Sequence, residues 1–574
     1  MATTSKKRKQ QQRQAAIRLA IMAGILLLLN ILAARFHTGL DMTREKRFTL
    51  SNATQKMLVN MKDVAVVDVY LTGKFPAGFQ RLAEATRERL QSFRDIAGPH
   101  VVFRFVNPVE GLSGKEKQDM YNKLAEKGVF PVSLKIQGGD EGYAEKEILP
   151  YALVQYNGKE KAVRLLESHS GMSQAEVFTY SETMLEYNFA SALHQLHMPD
   201  KPRVAYILGN NEALGWDTYD GLNTIPQNYH LDTVDLSHIL YLYSSYDAII
   251  INRPTMPFTD AEKMRLDQYV MRGGHILWLM NMLYTPMDSL RTAPQFISQD
   301  YGLNLDDLFF KYGVRINTDL IEDYDAVPIP MIVGSNNQGQ PDIQPRKWIY
   351  FPIILPSSEH PIVKNMPALL TKFPNSIDTT SDPEIKKTVL LQSSKYSRKA
   401  MNPVRISLGM VKYPMPPELF NKPYQPVAVL AEGKFRSVFK NHITHAAIHA
   451  LDSIHQPYKT MADTTTSMIF ATGSIMENGF YQDRGPMEMG YWDYTKDNFS
   501  NKSFILNCLE YLTDRSGLIE ARSKDLTIRL LDIKRVNEEK TKWQIINIII
   551  PIGIVLVFAS CYLFFRKRRY EKKQ

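Results

Sequence analysis

The chain has two cysteines in 574 residues, Cys508 and Cys561. Cys561 lies inside a long apolar run, so whatever folds outside that run has one thiol and no internal disulfide. No CxxC pair is present, which removes a dithiol redox site. A phosphate-binding loop is missing too. The stretch "RVAYILGNNEALGWD" (Arg203–Asp217) reads as an apolar strand opening into a polar loop, the usual setting for one. A P-loop needs GxxxxGK[ST], so that backbone N–H groups wrap the phosphates and the Lys and hydroxyl complete the site. Here Gly209 and Gly215 stand one residue too far apart, and Trp216-Asp217 replace the Lys-Ser/Thr pair. GxGxxG fails as well, because Asn211 and Leu214 occupy glycine positions. No Ser or Cys sits between glycines after a strand, as a nucleophile elbow requires. His194 and His197 form an isolated HxxH without further ligands at metal-site spacing, and Cys508 falls inside an apolar helix, the place of a small core residue. The five tryptophans and 29 tyrosines are spread out and form no sugar-binding row. The sequence therefore offers no catalytic group, no cofactor and no metal.

Net positive charge is missing from the middle of the chain. Of the formal net charge of +9, the first 18 residues carry +6 and the last nine carry +5, which leaves −2 for everything between. Such a middle has no basic field for a phosphate backbone, and no nucleic-acid partner is expected. Both basic clusters flank apolar runs. Leu19–Ala34 is 16 residues without a charge, and Ala15–Ile17 with a snorkelling Arg18 bring it to about the 20 residues a bilayer core needs. Trp543–Phe565 is 23 uncharged residues beginning at an interfacial Trp. Short basic flanks face the cytoplasm, so both termini are expected there, with the inner membrane spanned twice and the bulk of the chain in the periplasm. A cleaved signal peptide is the rival for the first run; "LAARFHTG" offers only a weak small-x-small cleavage site, which favours an uncleaved anchor.

Between the runs, strands and helices alternate. Ser51 is an N-cap; "VAVVDVYL" reads as a strand; Phe79 to Ala97 follow a 3.6 period; and "HVVFRFV" completes a β-α-β unit with a parallel pair. A helix over Lys115–Lys127 and strands near Val132–Gln137, Leu149–Tyr156 and Lys161–Leu166 finish a first domain, thioredoxin-like in layout and non-redox. A helix near Thr179–Leu196 precedes the boundary at Pro199–Pro202. Strand Arg203–Leu208 then opens a second domain with "HLDTVDLS", "YDAIIIN", a helix started by the capping box Thr259-Asp260-Ala261-Glu262, and "HILWLM", the signature of a doubly wound parallel sheet. An irregular insertion at about 284–376 surrounds one helix, Leu305–Tyr312. Strands resume at Lys387–Ser394, Pro426–Phe435 and Ser467–Ser474, and helix Lys502–Leu512 closes the domain. The expected division is a basic tail (1–14), a first span (15–34), a first α/β domain (44–170), a second (175–520), a charged helical stalk (521–542), a second span (543–565) and a basic tail (566–574). Gly209, Asn210, Asn211 and Glu212 fall at the carboxyl edge of the second sheet, where contact with a ligand or partner, rather than a reaction, is expected.

"REKRFTLSNATQKML" followed by "VYL", then "VNP", "KYGVRINTDLIED" and "LAEGKFRS", resemble in sequence and order the GldG family. These are the gliding-motility-associated ABC transporter auxiliary, or substrate-binding-like, proteins of Bacteroidota. The resemblance implies an inner-membrane subunit working with a separate ABC ATPase and a multispan permease. It also implies a second domain of glutamine-amidotransferase-like fold, here without that fold's nucleophilic Cys. The family's Gly-His-Gly-Glu after the first strand of that domain is Gly209-Asn210-Asn211-Glu212 in this chain, which removes the His a general base would use. Three functions are expected in this order: a non-enzymatic complex subunit, a periplasmic enzyme with a degenerate amidotransferase- or hydrolase-like domain, and a mechanical envelope scaffold.

Overall fold

The computed structural model describes residues 17–28, 30, 49–73, 75–137, 143–169, 171–198, 200–239, 241–242, 245–335, 339–411, 415–514, 516–523 and 533–571. They divide into two units, Met1–Asp525 and Leu526–Gln574. The first apolar run is described as a helix over Ile17–Leu28 (α1), shorter than a span; residue 29 and residues 31–48 lie outside the described part. The basic tail 1–14 lies outside it as well.

In the first lobe Ser51 caps α2 (Asn52–Val59) by accepting a hydrogen bond from the Thr54 N–H. Strands β1 (Ala65–Val69) and β2 (Val101–Phe105) pair in parallel across α3 (Ala77–Ala97), with Ala65 opposite Val101. After α4 (Gly114–Glu126) come a hairpin, β3 (Val132–Gln137) and β4 (Tyr143–Ile148), and then β5 (Tyr151–Tyr156) and β6 (Lys159–Arg164). The four-stranded sheet runs β2-β1-β5-β6, antiparallel except for the first pair. The following helix, α5 (Gln174–His197), starts earlier than its apolar period shows, because Ser173 and Glu176 form a capping box. Its Phe178, Leu185, Phe189 and Leu193 join Phe79, Leu82, Leu90 and Phe93 of α3 in one core on a single face of this sheet. Tyr121 and Leu124 of α4 help form a smaller core with Tyr151 and Leu153.

The second lobe is built on β7 (Arg203–Leu208), α6 (Tyr219–Asn228), β8 (His230–Asp235), β9 (Ala248–Asn252), α7 (Asp260–Met271) and β10 (His275–Met280). Next come α8 (Asp306–Lys311), β11 (Ala326–Ser335), β12 (Pro341–Pro356), β13 (Ile385–Gln392), β14 (Pro426–Gly433), α9 (His445–Ser453), β15 (Thr466–Thr472) and α10 (Asn501–Thr513). Successive side chains of the central strands feed two cores. Val204, Tyr206, Ile250, Leu277 and Leu279 face Ile225 of α6 and Phe504, Cys508 and Leu512 of α10. Ala205, Ile207, Ile249, Ile251, Ile276 and Trp278 face Leu266, Tyr269 and Val270 of α7 and Leu308 and Phe309 of α8. Burial on both faces is why these strands are continuous apolar runs. The sequence of α6 carries Pro226 inside the helix; Gly221 lets it press on Met476, which an added Cβ would meet at 2.6 Å.

The sheet order is β11-β12-β13-β14-β15-β10-β9-β7-β8. Only β8, β7, β9, β10 and β15 run parallel; β14, β13, β12 and β11 alternate in direction. This corrects the expectation of a parallel sheet throughout. A parallel return needs a crossover of a dozen or more residues, usually a helix, and the described residues between β13 and β14 contain no α-helix. The supposedly irregular insertion in fact supplies the long β11–β12 hairpin, and around it Val327, Trp348, Tyr350 and Phe373 form a core of their own.

The second unit contains α11 (Ile533–Glu571). Within it Glu539–Arg568 is the one helix among the described residues long and apolar enough to cross a membrane, and it contains the expected span 543–565. Residues 524–532 of the expected stalk are outside the described part.

At the start of α7, Thr259 Oγ1 accepts from the Glu262 N–H at 3.3 Å while Glu262 Oε2 accepts from the Thr259 N–H at 2.7 Å. Thr259→Ala removes this cap and is expected to lower stability by about 1 kcal/mol. An unchanged urea midpoint for the full chain would count against that role.

Candidate functional site

From β7 the chain moves to β8 on one side and later to β9 on the other, so the sheet reverses direction of growth between β7 and β9. Crevices at such switch points, outside the carboxyl ends of parallel strands, are where α/β sheets place ligands. The loop Gly209–Asp217 leaves β7 here. Gly209 takes a positive φ of 129°, and an added Cβ would stand 3.1 Å from Asp235 Oδ1 and 3.2 Å from the Ser237 nitrogen. Only glycine fits that turn against the end of β8. Asn211 follows in the left-handed region at φ 55°, which Asn tolerates.

The loop is tied to both neighbouring strand ends. The Asn210 carbonyl accepts from the Thr255 and Met256 N–H groups at 3.0 and 3.1 Å, and the Ala213 N–H donates to the Asn252 carbonyl at 2.9 Å. The Tyr206 hydroxyl donates to the Ala213 carbonyl and accepts from Asn252 Nδ2 at 3.1 Å. Asn210 Nδ2 donates to the Pro257 carbonyl at 3.2 Å and to Glu262 Oε2 at 3.3 Å, joining the loop to the cap of α7. Asn211 Nδ2 donates to Thr255 Oγ1 at 2.5 Å. Of the four expected site residues, Asn210 and Glu212 are buried, and Asn211 is exposed.

Glu212 turns back into its own loop, and its Oε2 accepts from the Asn210 N–H at 2.9 Å. Burial pushes its carboxyl up to about 7; the backbone N–H groups of Glu212 and Asn210 oppose the rise, and Glu262 and Asp235 add to it. Glu212 Oε1, Asn210 Oδ1, Asn252 Oδ1 and Arg253 Nε are buried at this edge without a protein hydrogen-bond partner. Buried polar groups are nearly always bonded, and an unmade bond costs about 1–3 kcal/mol.

Beside them lies a charged cluster that the sequence reading missed. Arg253, at φ 50°, donates through Nη1 to Glu477 Oε2 at 3.0 Å and through Nη2 to Asp217. Lys372 also donates to Glu477. Burial opposes the charge on Glu477, yet Lys372 and Arg253 hold its carboxyl below the usual glutamate range. Gly473, just past β15, makes room: a Cβ there would collide with Arg253 Cγ. Farther out, Trp216 lies between Tyr219 (centroids 5.5 Å apart, planes at 33°) and Phe480 (5.2 Å, 31°). All three are exposed, Trp216 at 59%. Asn478 sets this rim by donating through Nδ2 to the Trp216 carbonyl at 2.8 Å and through its N–H to the Asp217 carbonyl at 2.8 Å. This cluster of three aromatics is assembled from two distant segments, and its only sequence cue is Trp216 and Tyr219 in "GWDTYD" and Phe480 in "NGFY".

The HxxH histidines point to different partners. His194 Nε2 lies 3.5 Å from Asp514 Oδ1, and His197 Nδ1 pairs with the Tyr156 hydroxyl at 3.2 Å. Cys508 is fully buried in the core under α10, and burial alone pushes its thiol up.

The chain thus joins a mixed α/β lobe, whose switch-point edge carries an exposed aromatic rim, to the one helix among the described residues that is long and apolar enough to cross a membrane. A family model described as an ABC-type uncharacterized transport system matches residues 201–508, more than half of the chain, and the chain belongs to that family of ABC-transport auxiliary proteins. The match covers the second lobe from just before β7 into α10. A second model, a domain of unknown function (DUF7088), matches residues 44–155 of the first lobe. None of the curated proteins matches. Among solved structures, the mmIFT52 N-terminal domain aligns over 54% of this chain and 97% of its own, at 11% identity and a TM-score of 0.29.

Because the folded Glu212 carboxyl titrates above its ordinary value of 4.5, the folded chain keeps a proton that the unfolded chain has released. The stability it contributes is complete below about pH 4.5 and is lost as pH rises through about 7. Glu212→Gln abolishes this ionisation. The variant's unfolding midpoint is expected to gain on wild type between about pH 5 and about pH 8; a difference that does not change with pH would contradict the assignment.

Proposed function

We propose that this chain is a non-catalytic, membrane-anchored subunit of an ABC-type complex of the GldG kind, serving gliding motility. Its two lobes stand on the periplasmic side, and it works with a separate ATPase and a multispan permease. The observation that carries this reading is the family match over the second lobe, joined in one chain to the span-length helix α11. One or two membrane helices cannot enclose a transport path, so such a chain docks on a permease. The basic clusters beside both apolar runs support cytoplasmic termini. The β1-α3-β2 unit with its antiparallel β5–β6 pair supports a thioredoxin-like reading of the first lobe. The parallel half of the large sheet, with helices on both faces, supports an amidotransferase-like reading of the second.

The switch-point edge serves contact. The loops after β7 and β9 carry no Ser or Cys, and Glu212 is turned inward onto its own loop. The exposed Trp216, Tyr219 and Phe480 face outward instead, and contiguous exposed apolar rims mark interaction sites. A second reading, a periplasmic enzyme with a degenerate amidotransferase- or hydrolase-like domain, draws on one observation. A carboxyl titrating near 7 in a crevice is what a general base needs.

Purification from the native host in mild detergent is expected to bring along an ABC ATPase and a permease. Their absence, under conditions that preserve other membrane complexes, sinks the leading reading. Two variants then separate contact from catalysis. A Trp216→Ala, Phe480→Ala double variant should fold normally, with stability within about 0.5 kcal/mol of wild type for exposed positions, and should lose function. Glu212→Gln should retain it. The reverse pattern favours the enzyme.

A further inference from the structure

Between the lobes runs a cleft of about 390 Å³, walled by β6 and α5 on one side and by the end of α6 and α10 on the other. A second hollow of about 250 Å³ continues it, sharing Lys161, Ser191, Gln195, Asn228, Tyr229 and Glu510. Interfaces between lobes are a preferred place for small-molecule sites, and this size suits one. Leu196, Met198, Pro202 and Tyr229 supply apolar wall.

The charges in this cleft are unevenly matched. Lys161 Nζ donates to the side-chain oxygens of Gln195 and, at 2.6 Å, Asn228. Lys201 Nζ donates to the Pro226 carbonyl at 2.8 Å, and Lys159 Nζ to the Met198 carbonyl at 3.5 Å. All three ammonium groups thus rest on neutral oxygens. The acids are already engaged: Glu160 with Lys127 at 2.8 Å, Asp514 with Ser516 Oγ at 2.6 Å and near His194, and Glu510 with the Tyr187 hydroxyl. Burial, and next the charge of Lys201, bring Lys161 down to about 8, with Glu510 opposing. A part-buried ammonium bonded only to neutral oxygens is costly, and an anion placed between it and Lys201 relieves both the desolvation and the mutual repulsion.

The geometry points to a binding site in this cleft for a small organic oxyanion, a phosphate or carboxylate with an apolar body, its charged head held by Lys161 and Lys201 and its body laid along Leu196, Met198 and Tyr229. The site lies away from the switch-point edge and does not depend on the function proposed above.

The test is calorimetric titration of the full chain in dodecyl maltoside with phenyl phosphate, benzoate, inorganic phosphate and benzyl alcohol. Saturable binding of phenyl phosphate or benzoate is expected, and which of them binds identifies the head group. Lys161→Met, which keeps the stem and removes the charge, should weaken it about tenfold or more. Lys201→Met, at an exposed position where folding is not at stake, should weaken it in the same direction. The proposal is overturned if neither anion binds at millimolar concentration, if benzyl alcohol binds as well as the anions, or if both variants bind like wild type. Inorganic phosphate binding as tightly as phenyl phosphate overturns the role of the apolar wall.

Discussion

Burial of β7, β9, β10 and β15 on both faces is the constraint from which the rest of the second lobe follows. A strand covered on two sides must be apolar at every position, and Ile249, Ile250 and Ile251 are all fully buried. Helices must then lie on both faces, so α6 and α10 cover one and α7 and α8 the other. Helices on both faces require crossovers in both directions, and that makes a switch point unavoidable. The polar loop after β7 is a consequence of where that reversal falls. Its conformation is then set by Gly209 against β8 and by Asn210 against the cap of α7.

The same logic explains why the antiparallel half of the sheet looks different. There the burial pattern is less continuous; β12 is exposed over its first half and buried only toward its end. The hairpin needs no crossover, and its apolar side chains gather into a separate core around Trp348 and Tyr350. The hairpin of the insertion therefore extends the sheet beyond the parallel half, while the insertion's helix α8 joins α7 on one face of that half.

What could be read without coordinates divides along physical lines. Two-sided burial writes itself as an apolar run, so β7, β9, β10 and β15 were legible, and so was the Thr259–Glu262 cap, whose chemistry is local. Strand direction is not local. Nothing within "PVAVLAEG" says that β14 runs against β15, and the connection between them carries helix α9. Helix α6 is short and carries Pro226 inside it, which hid it although its buried residues Gly221, Thr224 and Ile225 share one face. The position of Gly209–Glu212 at a strand's end was legible, but the groups around it were not. Arg253, Lys372 and Glu477 meet across more than 200 residues, as do Trp216 and Phe480. Lys161 and Lys201 carry no motif; only the fold shows that both ammonium groups rest on neutral oxygens.

The joint between the lobes gives these features a common frame. After α10 the chain makes a short 3₁₀ turn, Leu518–Ser523. Leu518 is buried in the core of the first lobe and its neighbour Ile519 in that of the second. Arg522 donates to Asn507 Oδ1 of α10 at 2.6 Å, and its guanidinium stands 4.9 Å from the Tyr187 ring centre of α5. Two adjacent apolar residues in two different cores cannot both stay buried if the lobes slide apart, and each exposed side chain costs about 1.5–3 kcal/mol. The turn therefore fixes the separation of α5 from α10, which is the width of the lysine-lined cleft.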